Sequence, residues 1–137
     1  MFPIFMLALI LALSAVDYDH LARTIQVEAA KGTMDEYCVA VSVLNRVRSP
    51  HFPNTVADVV YAPGQYEGFT KWRPVANPAL VNRLMSVEGK LNLLRAYTSS
   101  VIELTSKVKV NSNTGLHLKT RCVILKETST TTSGRHD

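Results

Sequence analysis

One glutamate in this sequence is placed where a proton-donating group could act. Leu21, Ile25 and Glu28 are spaced by four and three residues, so they share one stripe of a helix. A carboxyl group on an apolar stripe loses hydration, which raises its pKa and keeps it protonated near neutral pH. Glu28 is therefore the candidate general acid. The alternative is a solvated side chain at the rim of the stripe that pairs with Lys31.

A second group of candidate residues follows the Pro63-Gly64 turn. Gln65, Tyr66 and Phe69 come directly after it, on a predicted loop. Aromatic rings stack on sugar rings and amides bond to their hydroxyls, and loops often carry binding residues. The loop is thus a candidate sugar-binding site. The alternative is that Tyr66 and Phe69 cover the hydrophobic core.

Two helices with a tight joint must position Glu28. Asp19 is predicted to cap the first helix, and Gly32 to end it in the left-handed conformation. Thr33 is predicted to open the second helix, with Glu36 three residues on in capping-box register. The spacing therefore indicates a sharp turn directly after the candidate acid.

The second helix, Met34 to Arg48, has a broad apolar face and is predicted to lie in the core. Asn45 and Arg46, near its end, are expected to hold a loop or the last turn rather than to act in catalysis. Cys38 is expected to be a buried free thiol, because a disulfide with Cys122 requires export of the chain.

Three more helices are predicted. Asn54 or Thr55 caps a short one that runs to Tyr61, Asn77 caps the next, and another runs from about Glu88 to Leu104. The buried positions predicted for the last two are Leu80, Leu84, Val87, Leu91, Leu94 and Val101. The fold class predicted from these patterns is mainly α.

Length and charge set outer limits on function. The 137 residues suit one monomeric domain, and the net charge of +4 with a pI near 9.2 favours either an anionic surface such as a cell wall or ordinary solvation. The basic residues form no long run, so no nucleic-acid partner is expected. Neither a metal nor a cofactor is expected. The histidines lack ligand-like spacing to one another or to the cysteines: His20, His51, His117 and His136.

The two ends of the chain differ from the middle. Residues 1–16 are apolar but shorter than the roughly 20 residues that span a bilayer, and they fit a secretory signal or a weak membrane anchor. A buried N-terminal helix is the alternative. Residues 17–105 are predicted to be the functional domain, working outside the cytoplasm. Residues 106–137 are predicted to be a poorly ordered tail, with a short strand at KVKV as the exception.

Three pieces of the sequence, LARTIQVEA, VAVSVLNRVRSPHFPNTVADVV and YAPGQYEGF, together resemble the cell wall hydrolase family of the spore-cortex-lytic enzyme (SleB) type. The resemblance implies a compact, lysozyme-like helical domain that cleaves peptidoglycan glycan strands, usually as a lytic transglycosylase. It implies that Glu28 is the single catalytic glutamate and that Gln65 binds substrate, with Tyr66 nearby in the cleft. The short form here looks most like versions carried by bacteriophages.

The chain departs from the family pattern after Glu28. Many members read EARGE there, whereas this chain reads EAAKGT, without the second acidic residue. A transglycosylase needs only one carboxyl group, which protonates the glycosidic oxygen and then accepts the C6 hydroxyl proton. A water-using muramidase or glucosaminidase would need a partner such as Asp35 or Asp58. A peptidoglycan-binding module without turnover is the third alternative.

A second departure is the C-terminal third, which lacks the Gly-Asn-Phe-Tyr-like ending of the family. Shifting the reading frame of the reverse-translated segment from Lys126 to Gly134 permits such a motif. We therefore hypothesise a frameshift near Ser100 that leaves the residues from about 101 onward as non-native sequence.

Overall fold

The computed structural model describes residues 2–66, 68, 73–105 and 122. Its helices are α1 (Phe2–Ala12), α2 (Ala15–Glu28), α3 (Asp35–Arg48), α4 (Val56–Tyr61), α5 (Pro78–Met85) and α6 (Val87–Thr105). No strand occurs among the described residues, so the predicted mainly α class is confirmed. The predictions for the tail after residue 105, including the strand at KVKV, lie outside the described residues.

Helix α3 is the centre of the fold. It packs against α2, α4 and α6. All residues from Glu36 to Leu44 are buried, so this helix is enclosed on every side over more than two turns. The core role predicted for the second helix is confirmed, and α2 and α4 are arranged around it.

Helix α2 begins earlier than the sequence predicted. Ser14 Oγ accepts the backbone N–H of Asp17 at 3.1 Å, and Asp17 Oδ2 accepts that of Ser14 at 2.9 Å, which is a complete capping box. Asp19 instead accepts Arg23 Nε–H at 2.6 Å within the helix. The prediction of Asp19 as the cap is wrong because a stronger reciprocal cap lies upstream.

The joint between α2 and α3 is held by side-chain bonds to the backbone. Gly32 has a φ of +77°, the left-handed conformation predicted for it. Thr33 Oγ1 accepts the N–H of Asp35 at 3.1 Å, and Glu36 Oε2 accepts the N–H of Gly32 at 3.0 Å. The N-cap is Met34, because the helix begins one residue later than predicted. The predicted Thr33–Glu36 capping box is therefore not formed, and the two side chains instead accept the N–H groups of Asp35 and Gly32.

The caps of the two following helices are confirmed. Thr55 Oγ1 accepts the N–H of Asp58 at 3.1 Å at the start of α4. Asn77 Oδ1 accepts that of Ala79 at 2.9 Å at the start of α5, where proline occupies the first turn. These short polar side chains therefore fix where α4 and α5 begin.

The buried faces of α5 and α6 were predicted only in part. Leu80 and Leu84 are buried, but Val87 is 76% exposed because α5 ends at Met85 and a new helix starts at Val87. Leu91 is also exposed. Among the residues of α6 up to residue 100, whose side chains the structure describes, the buried ones are Gly89, Leu93, Ala96, Tyr97 and Ser100. Because α6 is a separate helix from α5, its buried residues do not continue the apolar stripe of α5.

The N-terminal segment folds as α1 and packs against α6. Met6 and Ile10 are fully buried, and the Tyr18 hydroxyl donates to the carbonyl oxygen of Ile10 at 3.0 Å. Within the described part of the chain, no single helix has the length and apolar character to cross a membrane. Helices α1 and α2 meet those criteria only jointly, and they meet at 104°. The signal or anchor role of residues 1–16 stays a prediction.

A disulfide joins Cys38 of α3 to Cys122, with their Cα atoms 5.0 Å apart. The expectation of a free thiol at Cys38 is therefore wrong, because the fold brings together two residues that lie 84 positions apart in the sequence. Disulfides persist mainly in oxidising compartments. The expectation of a protein that works outside the cytoplasm stays a prediction.

Candidate active site

Glu28 is the last residue of α2, where the apolar stripe of the helix reaches the surface. Leu21 is fully buried and Ile25 is 1% exposed, whereas the Glu28 side chain is half-buried. The exposure of the Glu28 side chain is thus intermediate between the two predicted alternatives, a buried carboxyl group and a solvated one. Lys31 follows the end of the helix, so the helical i,i+3 geometry assumed for their pairing does not apply.

The predicted loop after the Pro-Gly turn lies close to this carboxylate at Gly68, which has a helical conformation in the structure. A Cβ atom added to Gly68 would lie 3.5 Å from Glu28 Oε2 and 2.8 Å from Val27 Cγ1. The loop backbone consequently approaches the end of α2 more closely than a residue with a side chain could. The two parts that the sequence singled out independently, the glutamate and the loop, are neighbours in the structure.

Arg46 of α3 contacts two residues of this loop, Gln65 and Tyr66. Its Nη1 donates to the side-chain oxygen of Gln65. The guanidinium also lies over the ring of Tyr66, 5.2 Å from the centroid, and over that of Phe52 at 5.1 Å. At 8% exposure Arg46 is buried, so these bonds are well shielded from water. The loop-holding role expected of Arg46 is confirmed, with an amide oxygen as the bonded atom.

Tyr66 packs on the hydrophobic core, which was the predicted alternative to a direct role in sugar binding. Its side chain is 1% exposed, and its hydroxyl lies 2.8 Å from Ser42 Oγ. Since the Ser42 hydroxyl donates to the carbonyl oxygen of Val39, the Tyr66 hydroxyl is the donor in this pair. Tyr66 thus anchors the loop to α3. Phe69, the other aromatic candidate, lies outside the described residues.

An ion pair next to the joint, with one buried partner, was not predicted from the sequence. Glu36 is 3% exposed, and its Oε1 accepts Arg83 Nη1–H of α5 at 2.7 Å. The hydrogen bonds that the Arg83 guanidinium donates to Glu36, and secondly to Tyr37, raise its pKa above the ordinary value. The acidic residue in a capping register was visible in the sequence, but its partner lies 47 positions away.

A cavity of about 300 Å³ opens beside this ion pair, between the end of α2 and the start of α5. Gln26 spans one wall: its Oε1 accepts the N–H of Asn77 at 2.7 Å, and its Nε2 donates to the carbonyl oxygen of Val75 at 3.0 Å. In the described part of the chain, no group of three His, Cys, Asp or Glu side chains converges to hold a metal.

The sequence profile of the Cell Wall Hydrolase family matches residues 30–108, which is more than half of the chain. The chain belongs to the cell wall hydrolase family. Its general function is therefore the degradation of peptidoglycan at the cell wall. The matched region includes the loop of Gln65 and Tyr66 and starts two residues after Glu28. Searches of the curated proteins and of the solved structures gave no match, so the lysozyme-like arrangement stays a prediction.

A water-using mechanism would need a second carboxylate besides Glu28, and three acidic side chains of this cell wall hydrolase are considered: Asp35, Glu36 and Asp58. Both oxygens of Glu36 are already bonded, to Arg83 and to the N–H of Gly32. Asp58 is exposed in the first turn of α4, and Asp35 is half-buried in the first turn of α3. Glu36, the buried carboxylate that follows Glu28 most closely, is therefore engaged in holding the joint.

Proposed function

We propose that this cell wall hydrolase is a lytic transglycosylase that cleaves the β-1,4 bond between N-acetylmuramic acid and N-acetylglucosamine, with Glu28 as its acid and base. The observation that carries the proposal is the close approach of Gly68 to Glu28, since a Cβ atom added to Gly68 would lie 3.5 Å from the carboxylate oxygen Oε2. A half-buried carboxyl group beside a loop at the protein surface is suited to meet a glycosidic oxygen.

The chemistry requires one carboxyl group used twice. Protonated Glu28 gives its proton to the glycosidic oxygen as the bond from that oxygen to C1 of the muramic residue breaks, and N-acetylglucosamine leaves as an alcohol. The C6 hydroxyl of the muramic residue then bonds to C1, with assistance from the N-acetyl group. Its proton passes to the Glu28 carboxylate, which restores the acid. The product is a 1,6-anhydro end, and no water is consumed.

Gln65 is proposed to bind the glycan through its amide nitrogen. Its side-chain oxygen is engaged by Arg46, which fixes the orientation of the amide. The two N–H donors of that amide are then available to sugar hydroxyl or acetamido oxygens. Tyr66 contributes indirectly, since its buried ring and hydroxyl keep the loop on α3.

Product analysis distinguishes this reaction from the alternatives. Purified cell walls are digested, and the soluble fragments are examined by mass spectrometry. We expect 1,6-anhydromuramic ends, which are lighter than ordinary reducing ends by one water. Reducing ends alone would identify a water-using muramidase or glucosaminidase and overturn the transglycosylase proposal. Wall binding without any soluble fragments would identify a binding module.

A further inference from the structure

The cavity beside the Glu36–Arg83 pair is rich in hydrogen-bond donors. Arg83 and Lys31 line it, and both bear positive charge at neutral pH. The Arg83 side chain is 45% exposed and Lys31 is exposed, so both charges can reach a ligand. Asn77 adds an amide whose oxygen is already used to cap α5, which leaves its nitrogen as donor.

The side-chain oxygens of Glu36 and Gln26 on the same wall each already accept a hydrogen bond. Glu36 uses one carboxylate oxygen for Arg83 and the other for the backbone of Gly32. The amide oxygen of Gln26 accepts the N–H of Asn77. With Glu36 balancing one of the two cations, the lining retains one positive charge and several donors. A ligand that complements it carries an anionic group with several acceptor atoms.

The cavity lies next to the proposed reaction centre. Ala29, which directly follows Glu28, lines it, as do Ile25 and Gln26 from the preceding turn of α2. Glu28 does not line the cavity, but it is adjacent to Ala29 and one helical turn from Ile25, so we take a branch of a glycan held at Glu28 to reach it. In peptidoglycan, the branch next to the scissile bond is the peptide stem on N-acetylmuramic acid, which carries free carboxylates.

We propose that this cavity binds a carboxylate of the peptide stem, with Lys31 and Arg83 as its cationic ligands. The identity of the ligand rests on the proposed function, because it takes Glu28 as the point where the glycan is held. The site makes the enzyme prefer glycan strands that carry peptides over bare ones.

Calorimetric titration tests this without turnover. The ligands are a disaccharide bearing a tetrapeptide stem, the same compound with its peptide carboxylates amidated, and the disaccharide without peptide, whose lactyl carboxylate is free. For the unmodified protein we expect the acidic stem to bind on the order of threefold to tenfold tighter than either of the others. Added salt should reduce this difference.

Two variants with the same loss of charge locate the effect. Lys31→Gln should abolish the preference for the acidic stem, and its exposed position makes the fold insensitive to it. Arg95→Gln, exposed on α6 and outside the cavity, should retain the preference. Arg83→Lys, which keeps a cation beside Glu36, should reduce it.

Three results would overturn the proposal: equal binding of the acidic and amidated stems, equal binding of the acidic stem and the peptide-free disaccharide, or the same behaviour in Lys31→Gln and Arg95→Gln. The second would assign the cavity to the lactyl carboxylate. Failure of the proposed function would appear separately, as wall lysis that survives loss of Glu28.

Discussion

Among single residues, the proposed proton donation by Glu28 depends on how closely the backbone at Gly68 approaches its carboxylate. Gly68 lies against both Val27 and Glu28, and Gln65 is fixed by Arg46. An enzyme that positions reacting groups loses rate steeply when they move by about an ångström. Glycine at position 68 is therefore required for the proposed activity.

Gly68→Ala should lower lytic activity roughly 10- to 100-fold, because the new methyl group would meet Val27 Cγ1 at 2.8 Å and displace the loop from Glu28. Turbidity loss of purified cell walls measures the rate. The double variant Gly68→Ala/Val27→Ala removes the opposing methyl group and should recover part of the activity. Full activity in the single variant would show that the loop does not position the acid.

At the scale of secondary structure, α3 connects the core to the site. Its N-terminal end is clasped to the joint through Glu36, its middle bonds Tyr66 through Ser42, and its last turns hold Gln65 through Arg46. The same helix is linked to Cys122 by the disulfide from Cys38. The loop beside Glu28 is therefore held in place by bonds to the buried central helix α3.

Arg46→Met should weaken both the fold and the activity, because Gln65 loses its charged donor and two aromatic rings lose their cation. We expect a loss of about 1–3 kcal/mol in the free energy of unfolding, measured by urea denaturation, together with slower wall lysis. Arg48→Met is the matched control: Arg48 is exposed on the same helix and lies over Tyr97, 5.5 Å from the centroid. Equal effects of the two variants on lysis would contradict the loop-holding role.

Local patterns predicted the helix caps at Thr55 and Asn77 and the burial of α3, since each depends on residues close in sequence. The candidate acid and the loop were also visible as motifs. Two separate helices were predicted around residue 86, but the buried face of α6 was assigned to Leu91 and Leu94, whereas Leu93 and Ala96 are the buried residues, because the packing partners of α6 are distant in sequence. The Glu36–Arg83 pair and the disulfide depend on tertiary proximity, which spacing along the chain does not encode.

At the scale of the whole molecule, α1 is joined to the rest of the domain by a buried tyrosine. Tyr18 is 1% exposed and donates to the carbonyl oxygen of Ile10, which ties α1 to α2 across their 104° bend. Burial, and secondly the nearby charge of Asp17, raise the pKa of Tyr18 to about 12. The neutral phenol is thus the form that the folded state favours.

This raised pKa predicts a loss of stability in alkali. Below pH 10 the phenol is neutral in both states and its contribution is complete. Between pH 10 and 12 the unfolded chain releases the proton first, so stability falls by about 1.4 kcal/mol per pH unit. Urea unfolding of the wild-type protein and of Tyr18→Phe across this range isolates the effect. The variant should be less stable at pH 7 by about 1 kcal/mol and should have a shallower alkaline slope. Identical slopes would refute the burial argument.

The role of Glu28 as the catalytic acid is tested by the lysis of purified cell walls by Glu28→Gln, compared with Glu88→Gln. Both changes replace a carboxylate by an amide of the same shape, but Glu88 is exposed on α6. We expect Glu28→Gln to fold, to bind walls and to lose activity by at least about 100-fold, because an amide cannot deliver the proton. Glu88→Gln should lyse walls at the wild-type rate. Lysis by Glu28→Gln at more than a few per cent of that rate would contradict the assignment of Glu28 as the catalytic acid.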